Sequence, residues 1–352
     1  MGICISKPST LDLHYPVRNG QSENQAAASP PSHLPAQESD VEATNFSHLP
    51  RRADTKARAL ADALRLAGNV NPELAHYAQR VLATVGNSQP TREISNLDAK
   101  NLATLVKTYN ARYQGLNLQY ARTPSEFRDA LADTGEVSWR SIAILHSRGS
   151  HRVAIDVRTH AGGHKSLLVM ETGAAFKRDK KGETLLQDGY EEFIEDLKHE
   201  FGNTVSMAVI DVRAQKSKIG CQQFCFDFAL NAFHKSDFFD DLHQRLHDHG
   251  QCSTRRGDAE FINGTEYLSG TKLLPAVFYK HAESRATIDT VLREQPAMAS
   301  KDVSTHRGGP AETLQDRVQA FRVQRGDLSY SMSIEASRIR KIREAIESGQ
   351  GQ

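Results

Sequence analysis

Gln215-Lys216-Ser217-Lys218-Ile219-Gly220-Cys221-Gln222-Gln223-Phe224 is the stretch on which the reading of this chain turns. A polar loop ends at a glycine, and a thiol then opens a strongly apolar segment that runs through Phe224, Phe228, Leu230, Ala232 and Phe233. That spacing predicts a buried helix with Cys221 in its first turn. A thiolate is favoured there by the helix dipole, and more so beside an imidazolium. A cysteine on its own is more often a small buried hydrophobe, and Cys225, one turn on, is read that way. Cys221 gains weight from what lies upstream.

Upstream the hydrophobic period is short. Segments 141–145, 151–157, 166–170 and 206–212 are runs rich in Val, Ile and Leu and predict strands. His151 opens the second and shares a face with Val153, Ile155 and Val157, whereas Asp156 points the other way. A turn through Gly162 and Gly163 predicts a hairpin that returns Glu171, at the end of the third run, to the level of His151. Histidine, acid and cysteine at the edges of predicted elements are the parts of nucleophilic catalysis. The imidazole accepts the thiol proton and the carboxylate orients the imidazole. Gln215, six residues before the cysteine, is expected to offer its side-chain amide to an oxyanion.

Around these strands the period is helical. Helices are predicted within 54–82, over 98–112, 189–201, 238–249, 285–293, 311–323 and 334–346. Strands followed by a buried helix give an α+β layered domain. Residues 8 to about 54 are rich in Ser, Pro, Ala, Gln and Asn, cannot bury enough apolar surface, and are expected to be disordered.

The formal net charge of the 352-residue chain is +1, so bulk charge gives no argument for nucleic acid. Four cysteines, Cys4, Cys221, Cys225 and Cys252, make no disulfide framework and are read as thiols of a reducing compartment. No apolar run has the length of a membrane span. His243, His247 and Cys252, with His249 nearby, hint at a metal, but the second cysteine and the glutamate of the usual zinc patterns are missing. No metal is expected, and no glycine-rich phosphate loop is present. The start, Met1-Gly2-Ile3-Cys4-Ile5-Ser6-Lys7, fits N-myristoylation of Gly2, with Cys4 placed for a palmitoyl chain as the second signal that stable anchoring needs.

Taken together these residues resemble the YopJ-type effectors (the YopJ, HopZ and XopJ group) that bacterial pathogens inject into host cells, and the plant-pathogen XopJ and HopZ branch most closely. The matching stretches are 151–156, 166–171, Gln215 to Cys221 with Phe228-Ala229-Leu230, 110–113 with 116–118, and Leu274-Pro275-Ala276-Val277-Phe278-Tyr279-Lys280-His281. They span roughly residues 105 to 295 in the family's order. The resemblance implies a clan CE (ULP1-like) cysteine-protease-type core over 113–282. It also implies helical regulatory segments over 55–112 and 283–352, behind a secretion leader at 1–54. It further implies acetyl transfer from acetyl-CoA, through an acyl-cysteine, to Ser, Thr or Lys of host proteins, with suppression of host defence.

By the same resemblance His151 is the base, Glu171 its orienter and Cys221 the acyl carrier. Inositol hexakisphosphate is the activator, held by Lys280 with Arg112 and His281 beside it, and Lys280 is also a site of self-acetylation. The implied route is type III secretion, ending at the cytoplasmic face of the host plasma membrane through the lipid anchor. The chain departs from some members at Thr172-Gly173, where they carry proline, and in what looks like a small insertion after Cys221. A cysteine protease or SUMO/ubiquitin-like isopeptidase would use the same triad. A non-enzymatic membrane-tethered binding protein is the third alternative.

Overall fold

The computed structural model describes residues 45–349 apart from 69, 86–90, 134, 148, 150, 218, 256, 305–309, 326 and 327. The lipidation signal at Gly2 and Cys4, and the leader as far as residue 44, lie outside the described residues. Residues 45–54 do not follow the expectation of disorder. Phe46 and Leu49 are buried in the main core, and the first helix, α1 (Arg51–Leu66), begins directly after Pro50. Two large apolar side chains are enough to dock this segment, which composition averaged over fifty residues conceals.

Helix α2 (Pro72–Thr84) starts with proline at its first turn, where a missing N–H costs nothing, and Asn71 caps the amides of Glu73 and Leu74. Helix α3 (Arg92–Arg112) is capped by Thr91. Both lie close to the predicted spans. The sheet follows: β1 (Leu118–Ala121), α4 (Pro124–Asp133), β2 (Ser138–Ile144), β3 (Arg152–Thr159) and β4 (Lys165–Glu171). A small hairpin, β5 (Phe176–Arg178) and β6 (Thr184–Leu186), leads into α5 (Tyr190–Phe201) and β7 (Val205–Asp211). Then come α6 (Cys221–His234), α7 (Ser236–His249), β8 (Ala259–Ile262), β9 (Thr265–Ser269), α8 (Gly270–Leu273) and α9 (Arg285–Glu294). The described chain closes with α10 (Leu314–Ala320), the hairpin β10 (Arg322–Arg325) and β11 (Leu328–Ser331), and α11 (Ser333–Gly349).

Seven strands form one mixed sheet in the order β1-β2-β3-β4-β7-β9-β8. The glycine turn produces the predicted antiparallel β3–β4 hairpin, with Ala154 opposite Met170 and Thr159 opposite Lys165. Alternation along the strands sorts the core into two layers. Val153, Ile155, Val157, Leu167 and Val169 face α4 and α5, meeting Phe127, Tyr190, Phe193 and Leu197. Ala154, Leu168, Met170, Ala208 and Ile210 face α6 and the helices behind it. The result is the α+β architecture expected.

The helices from the two ends of the chain form one layer. Helix α11 packs on α1, α2 and α3, and α3 and α11 both pack on α6. Helix α6 is buried from Cys221 to Ala232, as its composition predicts, but it also carries a polar stripe, Gln223, Asp227 and Asn231, at four-residue spacing. This stripe faces α11 and the segment around Lys280. Helix α10 is shorter than the predicted 311–323. A capping box between Thr313 and Asp316 sets its start, and the chain turns into β10 at Arg322.

Candidate active site

Gly220 adopts φ +95°, a left-handed conformation that favours glycine, and this turn delivers Cys221 to the first position of α6. His151 sits at the start of β3 and Glu171 at the end of β4. The hairpin brings His151 Nε2 to 2.7 Å from Glu171 Oε2. The imidazole also hydrogen-bonds the Cys221 side chain. Burial opposes charge on His151, but hydrogen bonds to Cys221 and Glu171 and their charges outweigh it, so its pKa is pushed up to about 10. The predicted thiol, imidazole and carboxylate are therefore brought together. They line a cavity of about 590 Å³ whose wall also includes Ser95, Gly173, Gln187, Arg213 and Ser217.

Glu171 is buried and held on both oxygens. Oε2 also accepts the Tyr190 hydroxyl at 3.1 Å, and Oε1 accepts the Gly173 amide at 2.8 Å. Burial and the neighbouring carboxylate push the Tyr190 phenol well up, keeping it a donor. The Thr172-Gly173 departure thus has a structural use: Gly173 supplies an N–H to the carboxylate, and Thr172 donates its hydroxyl to Gln215 Oε1 at 2.7 Å. Tyr190 was not legible as part of the site, since it reads as one more apolar position of a helix.

The Gln215 amide donates to the carbonyls of Ser217 at 2.8 Å and Ile219 at 3.1 Å and so shapes the loop before Cys221. The first turn of α6, which has no side-chain cap, adds main-chain N–H groups beside it. Asp156, the carboxylate on the opposite face, binds Arg140, Arg158 and His243 in a buried cluster.

The helical layer reaches the site directly. Gln222 Nε2 donates to the carbonyl and hydroxyl of Ser95 on α3, each at 3.2 Å. One residue on, Gln223 Nε2 donates to Asp98 Oδ1 at 3.1 Å. Asp98 also accepts Tyr77 and is held by Arg338 of α11.

About ten residues along α6, Asn231 Oδ1 accepts the Lys280 ammonium at 3.4 Å. Lys280, His281, Arg317 and Lys341 are buried in a cationic cluster whose partly exposed members are Arg52, Lys56 and Arg340. Arg52, Lys56 and Arg317 gather over the Phe321 ring at 5.2, 5.7 and 4.5 Å. The cluster's carboxylates include Asp227, bound by Lys341 at 2.8 Å, Glu312, bound by Arg52 and Arg317, and Glu344, 3.5 Å from Arg340. Burial and the neighbouring Arg317, Arg340 and Arg52 push Lys56 down to about 7. Burial, with Arg340, Arg317 and Lys341, does the same to Lys280 despite Asp227. Arg317 Nη2 and His281 Nε2 are buried without a hydrogen-bond partner. Arg112 sits at the rim, its guanidinium paired with Glu344 at 2.9 Å and half exposed.

Of these cations the sequence reading held only Lys280, with Arg112 and His281 as neighbours. The signal for more was the run Arg338-Ile339-Arg340-Lys341-Ile342-Arg343, basic residues interleaved with buried isoleucines. The amine of Lys280, expected from the resemblance to be a site of self-acetylation, lies inside this cluster. The amine is buried beside Asn231, about 15 Å along the helix from Cys221 at 1.5 Å per residue.

The sequence-level metal group is also dispersed. His243 is buried between Asp156 and Ser166, and Cys252 donates its thiol to the Leu242 carbonyl at 3.6 Å.

A family model described as YopJ serine/threonine acetyltransferase matches residues 74–344. The chain belongs to this family. It is 35% identical over 207 residues to a serine/threonine-protein acetyltransferase of Sinorhizobium fredii, covering 58% of this chain and 76% of that protein. The serine/threonine-protein acetyltransferase HopZ1a of Pseudomonas syringae pv. syringae is 27% identical over 341 residues, covering 83% and 90% of the two chains. The crystal structure of HopZ1a in complex with IP6 superposes with a TM-score of 0.73 at 24% identity, covering 86% of this chain and 99% of that one. A structure of AvrA with IP6 and CoA gives 0.64 at 20% identity, covering 79% and 99%. These likenesses establish the YopJ fold, with its ULP1-like core, for this acetyltransferase-family chain.

Proposed function

We propose that this YopJ-family member is a type III effector that moves acetyl from acetyl-CoA to Ser, Thr or Lys of host proteins through an acyl-Cys221 intermediate, switched on by inositol hexakisphosphate. The observation that carries the reading is His151 bonded on one side to Glu171 and on the other to Cys221, at the wall of a cavity, in a chain of this family.

The chemistry follows from the residues. His151 takes the thiol proton, and Cys221 Sγ attacks the thioester carbonyl. Charge on the carbonyl oxygen is met by main-chain N–H groups of the first turn of α6. The oxygen's charge collapses back, the bond to the coenzyme sulfur breaks, and His151 returns the proton to the leaving thiolate. An acceptor hydroxyl or amine then gives its proton to His151 and attacks the acyl-cysteine. The C–S bond breaks, and the proton passes back to Cys221. Throughout, Glu171, fixed by Tyr190 and Gly173, holds the imidazole in register and stabilises its cationic form.

The cationic cluster supports the activator reading. A polyanion needs converging Lys and Arg with donors to spare. The unpartnered Arg317 Nη2, and two lysines held near 7 by burial and by the cations around them, fit that demand. Arg52, Lys56, Lys280, Arg317, Arg340 and Lys341 would hold the inositol phosphate, with His281 beside them. When bound, it would supply the negative charge that lets α1, α10 and α11 close on α6. HopZ1a has been crystallised with IP6 and with IP6 and CoA.

For placement in the host, a myristoyl group on Gly2 and a palmitoyl group on Cys4 would tether the protein to the plasma membrane.

The deciding experiment is incubation with labelled acetyl-CoA, with and without inositol hexakisphosphate, read by mass spectrometry. Acetyl groups on Cys221 and on acceptor hydroxyls or amines, dependent on the activator and lost in Cys221→Ala, are expected. Peptide cleavage without labelling would replace this reading with the isopeptidase one.

A further inference from the structure

At the far end of β3 and β4 from the triad, three imidazoles meet. His160 and His164 flank the glycine turn and His247 lies in the last turn of α7, each presenting one ring nitrogen within 4.8 Å of the other two. The β3–β4 turn closes on itself, with the His160 amide donating to the His164 carbonyl at 2.8 Å, so two of the three rings are carried by one fixed turn.

A buried relay fixes the state of His160. Burial raises the Asp156 carboxyl, but Arg140, Arg158 and His243 outweigh it and hold it ionised, at about 2. Asp156 therefore accepts from His243 Nε2–H at 2.9 Å, which leaves His243 Nδ1 with its lone pair. That lone pair accepts the Ser166 hydroxyl at 2.7 Å, and Ser166 Oγ in turn accepts His160 Nε2–H at 2.7 Å. By elimination His160 Nδ1 carries a lone pair. Histidines that bind metals almost always have the other ring nitrogen tied in this way.

The remaining pair is placed to match. His164 Nδ1 and His247 Nδ1 lie 3.1 Å apart. Two nitrogens bound tetrahedrally to zinc at 2.0–2.1 Å are about 3.3 Å apart. The His247 ring lies flat on His160 at 4.1 Å and is exposed, and one nitrogen of each of the three rings is already within 4.8 Å of the other two.

We propose that His160, His164 and His247 form a three-histidine site for a zinc-class divalent ion, with a fourth position open to water. His160 is about 30 Å along β3 from His151 at 3.3–3.4 Å per residue. The ion would therefore staple the hairpin turn to the end of α7 and take no part in acyl transfer. This inference is independent of the function proposed above.

The test uses the untagged full-length chain carrying Cys221→Ala, so that the catalytic thiol cannot contribute, stripped with chelator and then titrated with zinc chloride. One zinc per chain is expected, with a Tm rise of about 5 °C at a hundredfold excess over Kd. Cobalt in place of zinc should give the visible absorption of a tetrahedral or five-coordinate site. His164→Asn with His247→Asn should abolish the one-to-one binding. Ser166→Ala, which removes no ligand, should weaken it by about 10- to 100-fold. Unchanged stoichiometry and affinity in the double variant, or no zinc-dependent Tm rise in the parent, would overturn the proposal.

Discussion

Arg338 grips Asp98 with two parallel bonds, Nε to Oδ1 at 2.8 Å and Nη2 to Oδ2 at 3.0 Å, and both side chains are buried. The pair joins helices 240 residues apart in sequence, and Asp98 passes the connection to Gln223, two residues from Cys221. Arg338→Ala leaves a buried carboxylate unpaired, and breaking such a pair typically costs about 3–5 kcal/mol. Chemical denaturation should show this loss, and Arg338→Lys should recover only part of it because the fork is gone. Equal stability of wild type and Arg338→Ala would remove this pair from the core's support.

Glu171→Gln keeps size but loses the charge that stabilises the imidazolium. Acyl transfer should fall by about 10²-fold or more at pH 7, with unfolding transitions near those of wild type. Tyr190→Phe, which removes one of two supports for that carboxylate, should fall by about tenfold. The decline should appear in single-turnover acetylation of Cys221, before any acceptor is involved.

Lys56 and Lys280 fix a pH dependence. Both are held near 7 in the fold against 10.5 in an unfolded chain. Between pH 7 and about 10 the unfolded chain binds more protons, so without the inositol phosphate stability should rise with pH across that window. Binding the polyanion restores the charges by proton uptake. Its affinity should therefore fall above pH 7, by up to about tenfold per unit for each lysine involved. Calorimetry in buffers of different ionisation enthalpy reads that uptake, and Lys56→Met with Lys280→Met should flatten it.

Gly2→Ala should shift the protein from the membrane to the soluble fraction of host cells, while Cys4→Ser should leave weak, reversible attachment. Unchanged fractionation of Gly2→Ala would rule out the anchor.

The grouping of His151, Glu171 and Cys221 was legible because each sits where a short-range pattern ends: a strand start, a strand end, a helix start. Strand alternation alone separated Glu171 from Asp156. The bonds of the Gln215 amide to its own loop were not legible, because spacing says nothing of where a side-chain amide turns. The β8–β9 hairpin was missed although Asn263-Gly264 lies at its turn, since Ala259–Ile262 is too short and too exposed to look like a strand. The cationic cluster was the least legible part. Its members, at 52, 56, 280, 317, 340 and 341, become neighbours only once both ends of the chain have packed on α6.

That last dependence governs how the molecule is made. Ile339, Ile342 and Ile346 are interior residues of the same core as Phe226, so that core lacks part of its cover until α11 has been made. An excised 113–282 fragment is thereby expected to aggregate, and nascent chains stalled before α11 should be protease-sensitive throughout. The interior is complete only when α11 has joined α1, α2, α3 and α6.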